Sequence, residues 1–419
     1  MVGRDEDVGV CMRRNVKSKV NLRHICRRWG LLFVSLLFVA IFVSSGCVSL
    51  FSGVSPFVLG VSDQIVVRNE VELRSTVNNA VKPTIIALDN DITLTEPLVI
   101  PVDKDITLKS TSTSKFFKLI GKDLEVYFAP DYWPSTGAVI SVEGGAVLRL
   151  EGIVVSNPEN YRWTAAVSVS VSGTFILCSG EISGGGVSNS GVFTMVGGTI
   201  SNCIGGGVGN SGYGTFSMSG GEISNNPSFG VVNANIRNGV TGERVSGTFS
   251  MSGGEIRNNY GGGVSNSGVF SMSGGEISNN QATREGWNYL ESGGGVSNSG
   301  VFSMSGGEIS NNQATSGGGV YNWPDGNFSL SEKGVISNNN AEVGGGVYNA
   351  GTFNRWGGVI SDNTATQYSD IFHSDGSITN DDDKTTGYMV FVVSIVVLVS
   401  VIVGGVFFYF KKRTKTVTP

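Results

Sequence analysis

Glutamate recurs in this 419-residue sequence in one fixed setting, Gly-Glu-Ile, at Glu181, Glu222, Glu255, Glu276 and Glu308. Carboxylates repeated at a structural period can stack, and like charges about 5 Å apart repel unless something bridges them. Oxygen ligands suit calcium, so Glu222, Glu255, Glu276 and Glu308 form a candidate cation ladder. The plainer reading is preferred: long side chains splay into water between rows of serine. A second acidic pattern, D-x-D-I-T-L, supplies Asp89 with Asp91 and Asp103 with Asp105. Paired carboxylates could do acid–base work. These pairs stand only 14 residues apart, less than one repeat, which places them at different corners where a turn enters a strand. Histidine chemistry is confined to His24 and His373. A third set is aromatic: Trp287, Tyr289, Tyr321, Trp323 and Tyr348 stand where the repeat is interrupted or turned outward, and flat rings there could stack on sugars, although aromatics that simply cover backbone at a corner are the preferred reading.

These residues are carried by a repeat. A phenylalanine column runs through Phe175, Phe193, Phe216, Phe249, Phe270, Phe302, Phe328 and Phe353, with an isoleucine seven residues behind each, Ile336 coming one residue late. A valine column from Val187 to Val347 has steps of 21, 23, 33, 32, 24 and 27, with an asparagine two residues beyond each valine. Units of this length cannot bury their apolar residues alone and must stack on their neighbours. Phe270 and Met272 alternate with Ser271 and Ser273, which is the period of a strand. Glycine triplets and asparagine pairs such as Asn279 and Asn280 mark corners, because both residue types tolerate positive φ. Three strands per coil predicts an all-β right-handed parallel β-helix over 64–372, most regular over 175–363, with inward ladders of Phe, Met, Ile and Val. A short amphipathic helix over 70–81, offering Val71, Leu73, Val77 and Val81, is expected to close the amino-terminal end. Tyr368, Ile371 and Phe372 are expected to form a last partial rung. Two long insertions, after Asn233 and after Ile277, fall at different corners; Trp323 shares the corner of the first, and Trp287 and Tyr289 ride on the second. Cys178 and Cys203 occupy different columns, so a disulfide between them is not expected.

Two apolar segments bracket the repeat. The basic segment 1–28 precedes an apolar run over 29–51, the pattern of a cleaved signal or retained signal-anchor. Ser-Ser-Gly-Cys47 resembles a lipoprotein cleavage box, except that Ser44 stands where that pattern takes Leu, Val or Ile. After a polar stalk over 373–387, residues 388–410 are long and apolar enough for a transmembrane helix, and the basic tail 411–419 marks its cytoplasmic end. The body then lies outside the cell. The chain carries a net charge of −5, but the body between the two segments holds 17 basic and 31 acidic residues, a net charge of −14. Such a surface disfavours nucleic acid and anionic lipid and suits cations or a soluble cell exterior.

The GGGVYN…GTF…GG.IS.N pattern resembles the pectate-lyase-like β-helix repeats of microbial adhesin-like surface proteins, and is similar in style to polymorphic outer-membrane proteins. The resemblance covers roughly 64–372 and implies architecture more than activity, since this fold carries lyases, hydrolases, epimerases and plain binding rods. Two departures stand out: no autotransporter-type barrel follows, and no LPxTG sorting signal is present. Polysaccharide-active members would need converging acids, or an acidic calcium site beside a basic residue such as Arg149. The reading is therefore of a membrane-anchored, non-enzymatic cell-surface protein for adhesion, glycan binding or envelope structure. A polysaccharide lyase, hydrolase or epimerase is the alternative. Its partners would be the membrane and glycans or surface proteins, with no cofactor beyond calcium.

Overall fold

The computed structural model describes residues 64–374 apart from 82, 123–136, 158–164, 238–241 and 283–291. Outside these lie the expected segments 1–28, 29–51, 388–410 and 411–419, nearly all of the stalk 373–387, and the aromatics Trp287 and Tyr289. Among the described residues no helix is long and apolar enough to cross a membrane.

One coil shows why the chain winds as it does. Val264–Asn266 and Val269–Ser278 are strands whose apolar side chains alternate inward. Between them Ser267 and Gly268 turn the chain, and after them Asn279 adopts φ 56°, a left-handed conformation its short amide side chain tolerates. The same turn recurs at Asn202, Asn225, Asn258, Asn311 and Asn338. Each strand then pairs in parallel with its counterpart one coil on. The register joins Phe249, Phe270, Phe302 and Phe328; Ile256, Ile277, Ile309 and Ile336; and Val231, Val264, Val296 and Val320. Among the described residues, stacked parallel sheets with one helix give the architecture of a β-helix. The late Ile336 is brought into line by a register shift at Met304/Gly306 that absorbs the extra residue.

The interior consists of like on like. From Phe175 to Phe353 successive rings stack with centroids 4.6 to 4.9 Å apart and nearly parallel planes. Each ring from Phe175 to Phe328 is fully buried, worth about 1.5–3 kcal/mol of transfer free energy per side chain. Two asparagine ladders run beside them. In the first, Asn189, Asn210, Asn233, Asn266, Asn298 and Asn322 each donate from Nδ2 to the next Oδ1 at 2.7 to 2.8 Å. In the second, Asn226, Asn259, Asn280, Asn312 and Asn339 do the same at 2.8 to 3.0 Å. The paired asparagines thus divide their labour: the first makes the turn and the second is buried in the ladder.

Glycine supplies close approach. A Cβ on Gly263 would lie 2.6 Å from the Gly295 carbonyl oxygen and 2.7 Å from Ile277 Cγ2, so no larger residue fits that corner.

Several details differ from the sequence expectation. A further short sheet of four strands, Gln281–Ala282, Gln313–Ala314, Asn340–Val343 and Thr364–Gln367, follows the second asparagine in the last coils. In the first three of those coils the Phe and Ile strands also fuse, as in Val301–Ser310. The helix spans Glu70–Asn79 and buries Leu73 and Val77, while Val71 and Val81 are exposed. At 100° per residue only the i, i+4 pair shares the inward face; Val71 points away and Val81 lies beyond the helix end. Asn69 caps the helix reciprocally: Glu72 N–H donates to Asn69 Oδ1 at 2.9 Å, and the Arg68 N–H donates to Glu72 Oε2 at 2.8 Å. At the far end Ile371–His373 pairs with Val347–Asn349, so His373 belongs to the last rung rather than to the stalk.

Candidate binding surface

The outward row of the valine sheet, one residue beyond each valine, changes character along the molecule. Its residues are small or aliphatic from Ser168 and Ser188 through Gly209 and Val232 to Ser265 and Ser297. Then it becomes aromatic: Tyr321, Tyr348 and Phe372 in three successive coils. The Tyr321 and Tyr348 rings stack at 4.6 Å with planes 14° apart, and Phe372 packs against Tyr348 at 4.7 Å. Tyr368 adds a tilted ring 4.9 Å from Phe372.

Trp323 joins this strip through its turn. The Gly326 N–H donates to the Trp323 carbonyl at 2.8 Å, closing a tight turn over Pro324 and Asp325. The indole folds back onto the preceding coil, where Nε1 donates to Ser297 Oγ at 3.0 Å, and its ring meets Tyr321 at 4.6 Å. Trp323, Tyr321, Tyr348 and Phe372 are all partly buried, which leaves ring surface available to a ligand while each ring is held by its neighbour. Burial, and then the adjoining Tyr348 phenol, raises the Tyr321 hydroxyl above its ordinary pKa, so it remains a neutral donor at physiological pH.

The structure thus brings together three of the five aromatic candidates and adds Phe372 and Tyr368. Phe372 follows Ile371 as Tyr348 follows Val347, so counting columns one coil further would have found it.

The glutamate column is a ladder in fact: Glu222, Glu255, Glu276 and Glu308 are register partners, with Thr199 before them and Val335 after. Glu255, Glu276 and Glu308 line an open depression of about 470 Å3 with Gly254, Gly275, Gly307 and Val335. Its charge is partly compensated. Arg257, standing where the flanking coils have Ser224 and Ser278, places Nη2 2.9 Å from Glu222 and Nε 3.2 Å from Glu255. Among the described residues no three Asp, Glu, His or Cys side chains come together as a metal-holding group.

The four aspartates are each engaged locally and do not converge. Asp89 accepts from Arg68 Nε at 3.1 Å and Thr111 Oγ1 at 3.0 Å; Asp91 accepts from the Lys118 N–H at 3.0 Å; Asp105 is ion-paired with Arg149. Asp103 occupies a turn with φ 64°. Cys203 is free and buried at the head of the second asparagine ladder, where its N–H donates to Asn226 Oδ1 at 3.0 Å, and it does not pair with Cys178. Burial, with the charge of Glu181 adding to it, pushes its thiol well above the ordinary range and leaves it inert.

Fold and surface together define a class: a parallel β-helix with a regular, ladder-filled interior and an aromatic strip outside its last coils. No family model, no curated protein and no solved structure matches the chain at a significant level.

Proposed function

We propose that this is a membrane-anchored cell-surface protein whose right-handed β-helix, pectate-lyase-like in architecture, stands outside the cell and binds glycans. The observation that carries the reading is the strip of Trp323, Tyr321, Tyr348 and Phe372, where three coils replace small outward residues with aromatic rings in mutual contact. Rings packed against one another on a rigid sheet offer an apolar strip at little entropic cost, which suits the C–H faces of sugars. The anchoring half of the reading rests on the apolar segments 29–51 and 388–410 and their basic flanks. The acidic body, with a net charge of −14, suits a solvated exterior. Full-length protein in detergent, applied to a glycan array, tests it: binding of a set of saccharides is expected, and silence across the array would remove glycan recognition from the account.

A further inference from the structure

The insertion after Asn233 forms a hairpin on the corner that Trp323 also occupies, three coils earlier. Val231–Arg237 continues past its coil and pairs with Arg244–Ser246, with Asn235 opposite Ser246, Ile236 opposite Val245 and Arg237 opposite Arg244. Strand alternation puts Ile236 and Val245 on one face and Asn235, Arg237, Arg244 and Ser246 on the other. Contacts orient the two faces. Ile236 packs over the preceding coil, its Cδ1 lying 2.8 Å from where a Cβ on Gly212 would stand. Asn235 reaches the following coil: its N–H donates to Ser267 Oγ at 3.0 Å and its Nδ2 to the Ser267 carbonyl at 3.1 Å. The two arginines therefore face the later coils, while Trp323 leans the opposite way, back to Ser297. Between hairpin and strip the outward row holds only the small side chains of Ser265 and Ser297. Three coils span roughly 14 Å at about 4.8 Å each, room for a short oligosaccharide.

The charge of this site is distinctive. Arg237 and Arg244 are both exposed, and they stand directly opposite one another, an arrangement that destabilises a hairpin when the charges are alike. Among the described residues Arg68, Arg74, Arg149 and Arg257 form ion pairs, whereas these two do not. Glu243 immediately precedes Arg244, outside the strand pairing. An anion between two guanidinium forks relieves their repulsion and makes charge-assisted hydrogen bonds with both.

We infer that the saddle between the hairpin and the aromatic strip takes an anionic saccharide, its carboxylate or sulfate on Arg237 and Arg244 and its sugar faces on Trp323 and Tyr321. This rests on the glycan-binding reading and adds the class of glycan. The test compares three short oligosaccharides of matched length: neutral maltose-type, carboxylated hyaluronan and sulfated heparin-derived. Each is titrated into full-length wild type, Arg237→Gln/Arg244→Gln and Arg237→Lys/Arg244→Lys, with a melting curve confirming that each variant folds. Wild type is expected to bind at least one anionic probe about tenfold more tightly than the neutral one. The Gln pair should abolish that preference and leave neutral binding unchanged, the Lys pair should keep part of it, and added salt should weaken the anionic probes alone. The preferred anion identifies the group as carboxylate or sulfate. Equal affinity for neutral and anionic probes, or a preference untouched by the Gln pair, overturns the inference and leaves glycan binding standing. Failure to bind any of the three, with the array also silent, overturns both.

Discussion

The coils before Asn157 and those from Phe175 onward solve the same packing problem differently. In the early coils the interior is a mixture of Ile, Leu and Val, and the surface is held by contacts that occur once: Arg68 with Asp89, Arg74 with Glu70, Arg149 with Asp105. In the later coils nearly every inward position repeats itself, and phenylalanine, isoleucine and asparagine each stack on their own kind. A solenoid needs both arrangements, because an open end exposes apolar surface and unpaired strand edges and must be closed by something unlike the repeat. The helix Glu70–Asn79 does this with Leu73 and Val77, and Lys104 tethers its end by donating to the Asn78 carbonyl at 3.0 Å. The difference teaches where variation is tolerated. Inward ladders fix each coil from both sides, so the outward row is free to change from serine to tyrosine without disturbing the stack.

The largest expected effect comes from breaking a ladder in its middle. Phe270→Ala removes a ring between Phe249 and Phe302 and is expected to cost about 3–5 kcal/mol in urea unfolding, since rigid neighbours cannot collapse into the gap. A cost below about 1 kcal/mol would mean that the coils relax freely and that the ladder is not the source of stability. Asn298→Ala leaves Asn322 Oδ1 without its donor and Asn266 Nδ2 with only the Val301 and Gly268 carbonyls, and should cost about 1–3 kcal/mol. Amide exchange sharpens that result: protection should fall in the coils on both sides and stay intact before Asn157. Arg257→Ser restores the serine of the flanking coils and leaves Glu222 beside Glu255 without a bridging cation. Because these groups are partly exposed, a loss of no more than about 1 kcal/mol is expected, recovered in part by added calcium.

The smallest effect tests the cap. Burial acts to raise the Glu70 carboxyl, but hydrogen bonds from Arg74 and Thr95 and the charge of Arg74 outweigh it and hold the group below its ordinary pKa. A carboxyl lowered by folding adds stability that is present above its unfolded pKa and is lost as pH falls through its folded value. The difference in urea midpoint between wild type and Glu70→Gln should therefore be present at neutral pH and vanish in acid. A difference that persisted in acid would show that the charge of Glu70 is not what holds the helix down.

The same contrast explains what was legible in the sequence. A ladder of identical side chains writes itself as a column, so Phe270 with Phe302 and Ile277 with Ile309 could be paired by counting. The early coils could be read only as strands, because Ile, Leu and Val substitute for one another and leave no register mark; Ile106 beneath Leu148 is such a pair. Two-residue strands such as Gln281–Ala282 carry no period at all. Apolar spacing marks the helix but not its inward face, since Val71 and Val81 share the spacing and are exposed. At the surface, Tyr321, Trp323 and Tyr348 were visible as departures from the repeat. The bridge made by Arg257 was not, because its partner Glu222 lies a whole coil away in sequence.

The central claim is that inward ladders carry the stability of the later coils while their outward row carries recognition. Tyr321→Ser/Tyr348→Ser tests it most directly, because it returns two coils to the serine found at Ser265 and Ser297. Saccharide affinity and the urea midpoint would be measured on the same full-length preparation. The account predicts an affinity loss of about tenfold or more with a stability change of no more than about 1 kcal/mol. Affinity unchanged in a folded double variant would contradict it.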